Sequence, residues 1–430
     1  MKSNRVNIVT LGCSKNTVDS QKLMRQLTAG GYKVTAESDE PSDIVIINTC
    51  GFINDAKEES IDTIIRHAEA INEKGRGRLI VMGCLVERYR SELQTSLPEV
   101  DAWFGVNRPQ EITGHLGMVY HHELQGERIL TGAKHYAYLK VSEGCDRACA
   151  FCAIPEIRGR YTSVAMEDLV AEAHNLASSG VKELILIAQD LTLYGYDLYG
   201  RQMLPELIRQ LSTVEGISWI RLHYLYPSDF PYEILEMMLD NRKICRYIDM
   251  PVQHISDTIL KAMRREHSST ATRSLLNDIR RIVPDAAIRT TLIAGHPGET
   301  EKEFDELMRF VEEYRFERLG VFRYSHEENT YAYTNYADEL PEKIKQNRVE
   351  RIMDLQQHIS GEINATLAGK VIKVIVDRKE GLFHVGRSQY DSPEVDQEIL
   401  IRSDRKIEPG TFVDVRITGS TEFDLYGELI

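Results

Sequence analysis

Three cysteines stand in the run Cys145-Asp-Arg-Ala-Cys149-Ala-Phe-Cys152. Thiolates bind an iron–sulfur cube one cysteine per iron, and a [4Fe–4S] cluster that only stores an electron wants four of them. Only three lie together here. The fourth iron of such a cluster is left to bind a substrate or cofactor, by the logic that separates an open catalytic metal site from a closed structural one. The competing assignment is zinc, which usually takes a close cysteine pair and a second pair, or histidines, at matching spacing downstream. No second pair follows Cys152. A chance grouping is the other alternative, because short motifs produce false matches.

Three further cysteines, Cys13, Cys50 and Cys84, each follow a strand-like run, at residues 6–11, 44–47 and 79–82. Helix-like stretches at 19–27 and 58–71 lie between them, the alternation of a parallel α/β sheet. Ligands of such sheets collect at the carboxyl ends of the strands, so three distant cysteines can converge there. Each has a glycine neighbour, Gly12, Gly51 or Gly83, where the backbone can turn sharply and approach a bulky group. A single small, apolar cysteine commonly ends a buried strand. Three at one sheet edge point instead to a second three-cysteine cluster. Cys245, alone at the start of an apolar run, is expected in the core.

The elements that must carry the first triplet recur through the middle of the chain. Strand-like runs at 137–141, 184–188, 219–224, 247–252, 288–294 and 319–324 alternate with helical patterns, about six β/α units. The expectation is a parallel barrel, closed or partial, with the cysteine loop after its first strand, at the end where such barrels place active sites. The fifth unit runs into Gly295-His-Pro-Gly298-Glu-Thr300, turn chemistry followed by a Thr300/Glu303 capping-box spacing. The pattern breaks near Ser360. Five short strand-like runs follow, at 371–377, 382–387, 398–402, 411–417 and 425–430, and suggest a small β-barrel of a kind that often binds nucleic acid or serves as a cap.

Charge tests the nucleic-acid reading. Residues 361–430 hold nine Lys and Arg against thirteen Asp and Glu, a balance of −4, whereas phosphate-tracking domains are usually basic. The whole chain, 430 residues at formal charge −14, favours a basic partner. Its length allows two to three domains. No apolar stretch approaches the roughly 20 residues of a membrane span, and the first residues lack the apolar core of a leader peptide. Seven cysteines without an even framework of close pairs suit a reducing compartment. A cytoplasmic enzyme with no membrane partner is expected.

The Cys145, Cys149, Cys152 spacing, with Phe151 before the third cysteine, resembles the radical S-adenosylmethionine superfamily. That resemblance implies an open iron that chelates the amino and carboxylate groups of S-adenosylmethionine, and an electron from the cluster that splits off a deoxyadenosyl radical. It places Phe151 beside the adenine, Gly295 in the superfamily's glycine-containing fifth-strand motif, and Gln189 and Gln253, after the second and fourth strands, along the pocket.

Gly12-Cys-Ser-Lys-Asn16, Val18-Asp-Ser20, Cys149-Ala-Phe-Cys-Ala-Ile-Pro155 and Ile157-Arg-Gly159 extend the likeness to the whole chain, which resembles the methylthiotransferase family. The resemblance implies an N-terminal α/β domain at 1–125 with an auxiliary cluster on Cys13, Cys50 and Cys84, a partial (β/α)6 barrel at 131–358, and a TRAM-type β-barrel at 361–430. Two [4Fe–4S] clusters and S-adenosylmethionine are the implied cofactors. One molecule of the latter would methylate a sulfur on the auxiliary cluster; another would yield the radical that opens an unactivated C–H bond. Ser14-Lys15 and Ala153-Ile154-Pro155 resemble the branch that modifies an aspartate of small-subunit ribosomal protein twelve, a basic protein met free or on the ribosome. The other branch modifies an isopentenylated adenosine in tRNA. A rival of another class is an RNA-binding module with structural metal sites. Val164 follows Ser163 where the family places an arginine, which leaves Arg158 and Arg160 open between a solvated role and a substrate contact. No residue identifies the electron donor or the sulfur donor.

Overall fold

The computed structural model describes residues 5–75 and 77–430, with Lys74 described in its backbone alone. Residues 1–4, where the leader reading begins, lie outside the described residues. The first unit is a parallel sheet of β1 (Arg5–Thr10), β2 (Lys33–Ala36), β3 (Ile44–Thr49), β4 (Arg78–Gly83) and β5 (Ala102–Phe104), in the order β2-β1-β3-β4-β5. Its central strands are covered on both faces: every residue of β3 is buried. Ile47 and Val81 enter one apolar cluster and Ile46 and Ile80 the other, because successive side chains point to opposite faces. The chain leaves β1 for β2 on one side and returns to β3 on the other. The edge between β1 and β3 is therefore the switch point at which open α/β sheets bind ligands.

Two strands of this sheet were not expected from the sequence. β2 is a partly exposed edge strand and β5 is three residues long. The first helix also starts earlier than its apolar periodicity suggests, at Ser14 rather than near Asp19. Its first turn carries Lys15 and Asn16, both buried by tertiary contacts that no local pattern announces.

The second unit contains β6 (Tyr136–Lys140), β7 (Ser142–Glu143), β8 (Thr162–Ser163), β9 (Glu183–Ile187), β10 (Trp219–Leu222), β11 (Ile244–Asp249), β12 (Ala287–Ala294) and β13 (Arg318–Arg323). Six of them form one parallel sheet, β13-β12-β11-β10-β9-β6, a partial barrel whose two edge strands do not pair with each other. The short antiparallel pair β7 and β8 brackets the cysteine loop like a clasp. β11 ends at Asp249, earlier than the apolar run to Val252 implies, since Met250 and Val252 are buried in the loop beyond it. Cys245 is buried within β11 against Trp219, Tyr247 and Ile375. The capping box expected at Thr300 is formed and opens the helix Glu301–Tyr314.

The third unit is a closed barrel of β14 (Val371–Glu380), β15 (Phe383–Ser388), β16 (Ile399–Arg402), β17 (Phe412–Ser420) and β18 (Leu425–Leu429), in the order β14-β15-β16-β18-β17. All its pairings are antiparallel except β16 with β18. The pattern break near Ser360 falls inside the helix Glu342–Ala365. Its last turns are held by the barrel: Ser360 Oγ donates to the Glu422 carbonyl at 2.8 Å and Asn364 Nδ2 to the Thr421 carbonyl at 3.0 Å. No helix among the described residues is long and apolar enough to cross a membrane.

Candidate metal centres

Cys13 caps the helix Ser14–Ala29, Cys50 follows β3, and Cys84 is the first residue of the helix Cys84–Ser96. The sheet thus delivers all three to one edge, Cys13 and Cys50 on either side of the switch point. Two of them start helices, where the helix dipole favours a thiolate. The glycines let the loops touch one another rather than leave room beside them. A Cβ on Gly12, whose φ is +89°, would lie 3.0 Å from Cys50 Sγ, and one on Gly51 would lie 2.6 Å from Leu85 Cα. Burial pushes the Cys84 thiol up to about 12, with the Arg158 charge opposing and the nearby Cys13 and Cys50 adding to the rise. Burial raises Cys50 too, and Cys13 adds to it. Buried thiols that would repel one another as thiolates need a cation to become ligands, and a metal centre is one.

The second triplet lies at the carboxyl end of the partial barrel. Its loop is pinned from both sides: Ala150 N–H donates to the Met263 carbonyl at 2.8 Å, and its own carbonyl accepts from Ala332 N–H at 2.7 Å. Cys145 N–H donates to the Gly159 carbonyl at 3.1 Å, which closes the base. Burial pushes Cys145 and Cys152 up to about 12, and the neighbouring cysteines contribute. Cys149 faces Arg265, whose Nη1 donates to Sγ at 3.5 Å, and the Tyr226 hydroxyl lies 3.9 Å from the same sulfur. The Tyr226 ring is held between the guanidiniums of Arg147 and Arg265, at 4.2 and 4.0 Å from its centroid. Among the described residues, no three His, Cys, Asp or Glu side chains are grouped as ligands of a single ion. Thiolates on separate irons of a cube have no need to meet at one point.

The other expected residues are also at this end of the barrel. Phe151 packs against a buried cluster of Ala150, Tyr324 and Ala332. Gln189 Nε2 donates to Glu143 Oε1 at 2.8 Å, while its own Oε1 is buried without a partner. Gln253 adopts the left-handed region at φ +67°, and its Oε1 is likewise buried and unpaired. Orphaned buried acceptors of this kind want a donor from a bound group. Gly295 also has a positive φ, but a Cβ there would meet Lys345 Cγ at 2.5 Å, so the space a side chain would take is filled by the Lys345 stem.

Arg158 is buried, which removes the solvated reading, whereas Arg160 is exposed. Arg158 spans the two units. Its Nη1 donates to Glu143 Oε1 at 2.9 Å and Asp19 Oδ2 at 3.2 Å, and its Nη2 to Asn16 Oδ1 at 2.5 Å. Lys140 pairs with the same Asp19 and Glu143. Burial works against a charged Glu143, yet Lys140 and Arg158 hold its carboxyl well below the usual range. Lys15 Nζ lies 3.2 Å from the centroid of the Tyr224 ring across the same boundary. Arg147, Tyr226 and Arg265 carried no recognised signal in the sequence. Arg147 was nonetheless visible as a cation between two of the cysteines.

Family models match three segments: Uncharacterized protein family UPF0004 at residues 5–105, the Radical SAM superfamily at 139–311 and the TRAM domain at 368–430. Proteins called ribosomal protein uS12 methylthiotransferase RimO are similar throughout. That of Parabacteroides distasonis is 51% identical, covering 100% of both chains. That of Flavobacterium johnsoniae is 52% identical, covering 100% of this chain and 98% of its own. Among solved structures, the radical S-adenosylmethionine methyltransferase TsrM from Kitasatospora setae shares the fold, with a TM-score of 0.54 at 14% identity over 75% of each chain. The cobalamin-dependent S-adenosylmethionine radical enzyme OxsB aligns at a TM-score of 0.52 and 14% identity, over 82% of this chain and 56% of its own.

Proposed function

The chain belongs to the ribosomal protein uS12 methylthiotransferases of the RimO type, and from that membership we propose that it inserts a methylthio group at the unactivated β-carbon of an aspartate of uS12, in the cytoplasm. It is a radical S-adenosylmethionine transferase that uses an iron–sulfur cluster. Our finer reading has two [4Fe–4S] clusters, one on Cys145, Cys149 and Cys152 and one on Cys13, Cys50 and Cys84. Phe151, Gln189, Gln253 and Gly295 line the S-adenosylmethionine pocket. It divides the chain into units at 1–125, 131–358 and 361–430, with the helix Glu342–Ala365 running across the second boundary. The observation that supports it is that Cys84 packs with Ala153 and Ile157, the residues just after Cys152, and accepts from Arg158 Nη2 at 3.5 Å, so the first triplet borders the loop that carries the second.

When bound, these groups supply one-electron cleavage of S-adenosylmethionine and a sulfur to be methylated. The chain's own residues position and enclose. Arg265 and Tyr226 cover the Cys149 sulfur, the clasp of β7 and β8 closes the loop, and the unpaired Oε1 atoms of Gln189 and Gln253 offer acceptors to the polar groups of S-adenosylmethionine. The acidic third unit, at −4, suits a basic ribosomal protein better than tRNA.

The test is anaerobically reconstituted enzyme with methyl-labelled S-adenosylmethionine, sulfide, a reductant, and both purified uS12 and tRNA in one tube. Methylthio label on an aspartate of uS12 is expected; label on tRNA would overturn the substrate. Cys50→Ala should abolish sulfur insertion and leave reductive cleavage of S-adenosylmethionine largely intact. Loss of both activities, with normal iron at the barrel site, would count against separate roles for the two triplets.

A further inference from the structure

Arg158 belongs to the cysteine loop of the barrel, six residues after Cys152, yet its guanidinium reaches into the N-terminal unit. Its side chain is 2% exposed. Nη2 donates to Cys84 Sγ at 3.5 Å and to Asn16 Oδ1 at 2.5 Å. Asn16 in turn donates from Nδ2 to the Leu11 carbonyl at 2.8 Å and the Thr49 carbonyl at 3.1 Å. Those carbonyls immediately precede the Gly12-Cys13 turn and Cys50. One guanidinium therefore touches the third cysteine directly and, through a single amide, ties together the two loops that carry the others.

The charge arrangement explains why an arginine can be buried there. Arg158 and Lys140 face Asp19 and Glu143, two cations and two anions, so the network is balanced before any sulfur is counted. The fork geometry of a guanidinium lets one nitrogen serve the carboxylates while the other serves the sulfur and the amide. Hydrogen bonds to cluster sulfurs are among the levers that set a cluster's potential, and groups beyond the ligands orient the ligands themselves.

We propose that Arg158 is a positioning residue for the N-terminal three-cysteine site, holding the Cys84 sulfur directly and the Cys13 and Cys50 loops through Asn16, so that this site is completed by a residue of the barrel. The proposal rests on the reading of Cys13, Cys50 and Cys84 as a cluster site. It implies that the electronic signature and retention of an N-terminal cluster depend on a side chain from the neighbouring unit. Glu143 Oε1 accepts from both Arg158 and Gln189, so the guanidinium is two hydrogen bonds from Gln189 on the barrel side.

The experiment uses the full chain carrying Cys145→Ala, Cys149→Ala and Cys152→Ala, reconstituted anaerobically so that only the N-terminal site can bind iron. Arg158, Arg158→Lys and Arg158→Met are compared by iron per chain, the paramagnetic resonance spectrum of the reduced state, and the lifetime of the iron under a chelator. Arg158→Met should shift the spectrum and shorten the lifetime at least several-fold. Arg158→Lys, which keeps the buried charge but not the fork, should fall between and keeps the question answerable if the methionine variant folds poorly. Spectrum and lifetime unchanged in both variants would overturn the proposal. So would an equal disturbance of the barrel site when Arg158→Met is placed on Cys13→Ala, Cys50→Ala and Cys84→Ala, because that marks general loss of structure. If the parent with Arg158 intact takes up no iron, the reading of the N-terminal cluster itself fails.

Discussion

At the scale of single residues, the thiol triplets depend on neighbours that have no chemistry of their own. Gly51 is the clearest case. A methyl group there would press to within 2.6 to 2.9 Å of the backbone of Cys84 and Leu85, which cannot retreat without moving β4 and the helix it enters. Overpacking of this kind costs about 1–3 kcal/mol, and here the cost falls on the approach of Cys84 to Cys50. Gly51→Ala is expected to lower the urea midpoint of the chain and to reduce iron uptake at the N-terminal site, with the barrel site unchanged. Full iron uptake at both sites would show that the close approach is dispensable. The adjacent glycines were readable in the sequence as points of close approach. What they approach, each other's cysteine loops, was not.

Among the elements, the strands were the most legible part. β1, β3 and β4 are short apolar runs buried on both faces, and such runs need no partner to be recognised. The start of the first helix was hidden because Lys15 and Asn16 are polar residues buried by tertiary contacts, Lys15 over the Tyr224 ring of the barrel and Asn16 between the Leu11 and Thr49 carbonyls and Arg158. The end of the helix Glu342–Ala365 was hidden because the third unit holds Ser360 and Asn364. Helix ends with local signals behave differently. Thr300 Oγ1 accepts from Lys302 N–H at 3.2 Å, and Glu303 Oε2 accepts from Thr300 N–H at 3.1 Å. Thr300→Ala should cost about 1 kcal/mol, read as a lower urea midpoint with an unchanged slope. A loss of activity larger than this loss of stability would mean that the turn after Gly295 does more than start a helix.

Across the whole molecule, buried polar contacts join the units. Glu327, after β13, receives Lys57 and Arg88 of the N-terminal unit at 3.0 Å each. Glu183 of β9 lies between Arg221 and Arg387, the latter from the third unit. His223, past β10, pairs Nε2 with Ser392 Oγ at 2.9 Å. Burial pushes His223 down to about 3 and His296 to about 4, so both are neutral in the folded chain near neutral pH. An unfolded histidine takes up its proton near 6.5. The folded values are depressed, so their stabilisation is complete above about 6.5 and is lost as the pH falls toward the folded values. Each contributes a slope of about 1.4 kcal/mol per pH unit in that window. Urea midpoints of the metal-free chain should fall between pH 6.5 and 5, and His223→Gln should flatten the fall. An unchanged slope would mean that His223 is protonated in the folded state.

The sequence by itself determined the chemistry that is available: two sets of three cysteines, strands to carry them, and the α/β order that sends strand ends to one edge. These are local properties, set by residue type, spacing and the period of apolar residues. The tertiary structure alone decided how the sets are supported. Arg158 was one of two arginines in a loop with nothing local to separate it from Arg160, yet one is buried against Cys84 and the other is exposed. Which of two like charges is desolvated depends on the carboxylates that meet it, and Asp19 lies 139 residues away.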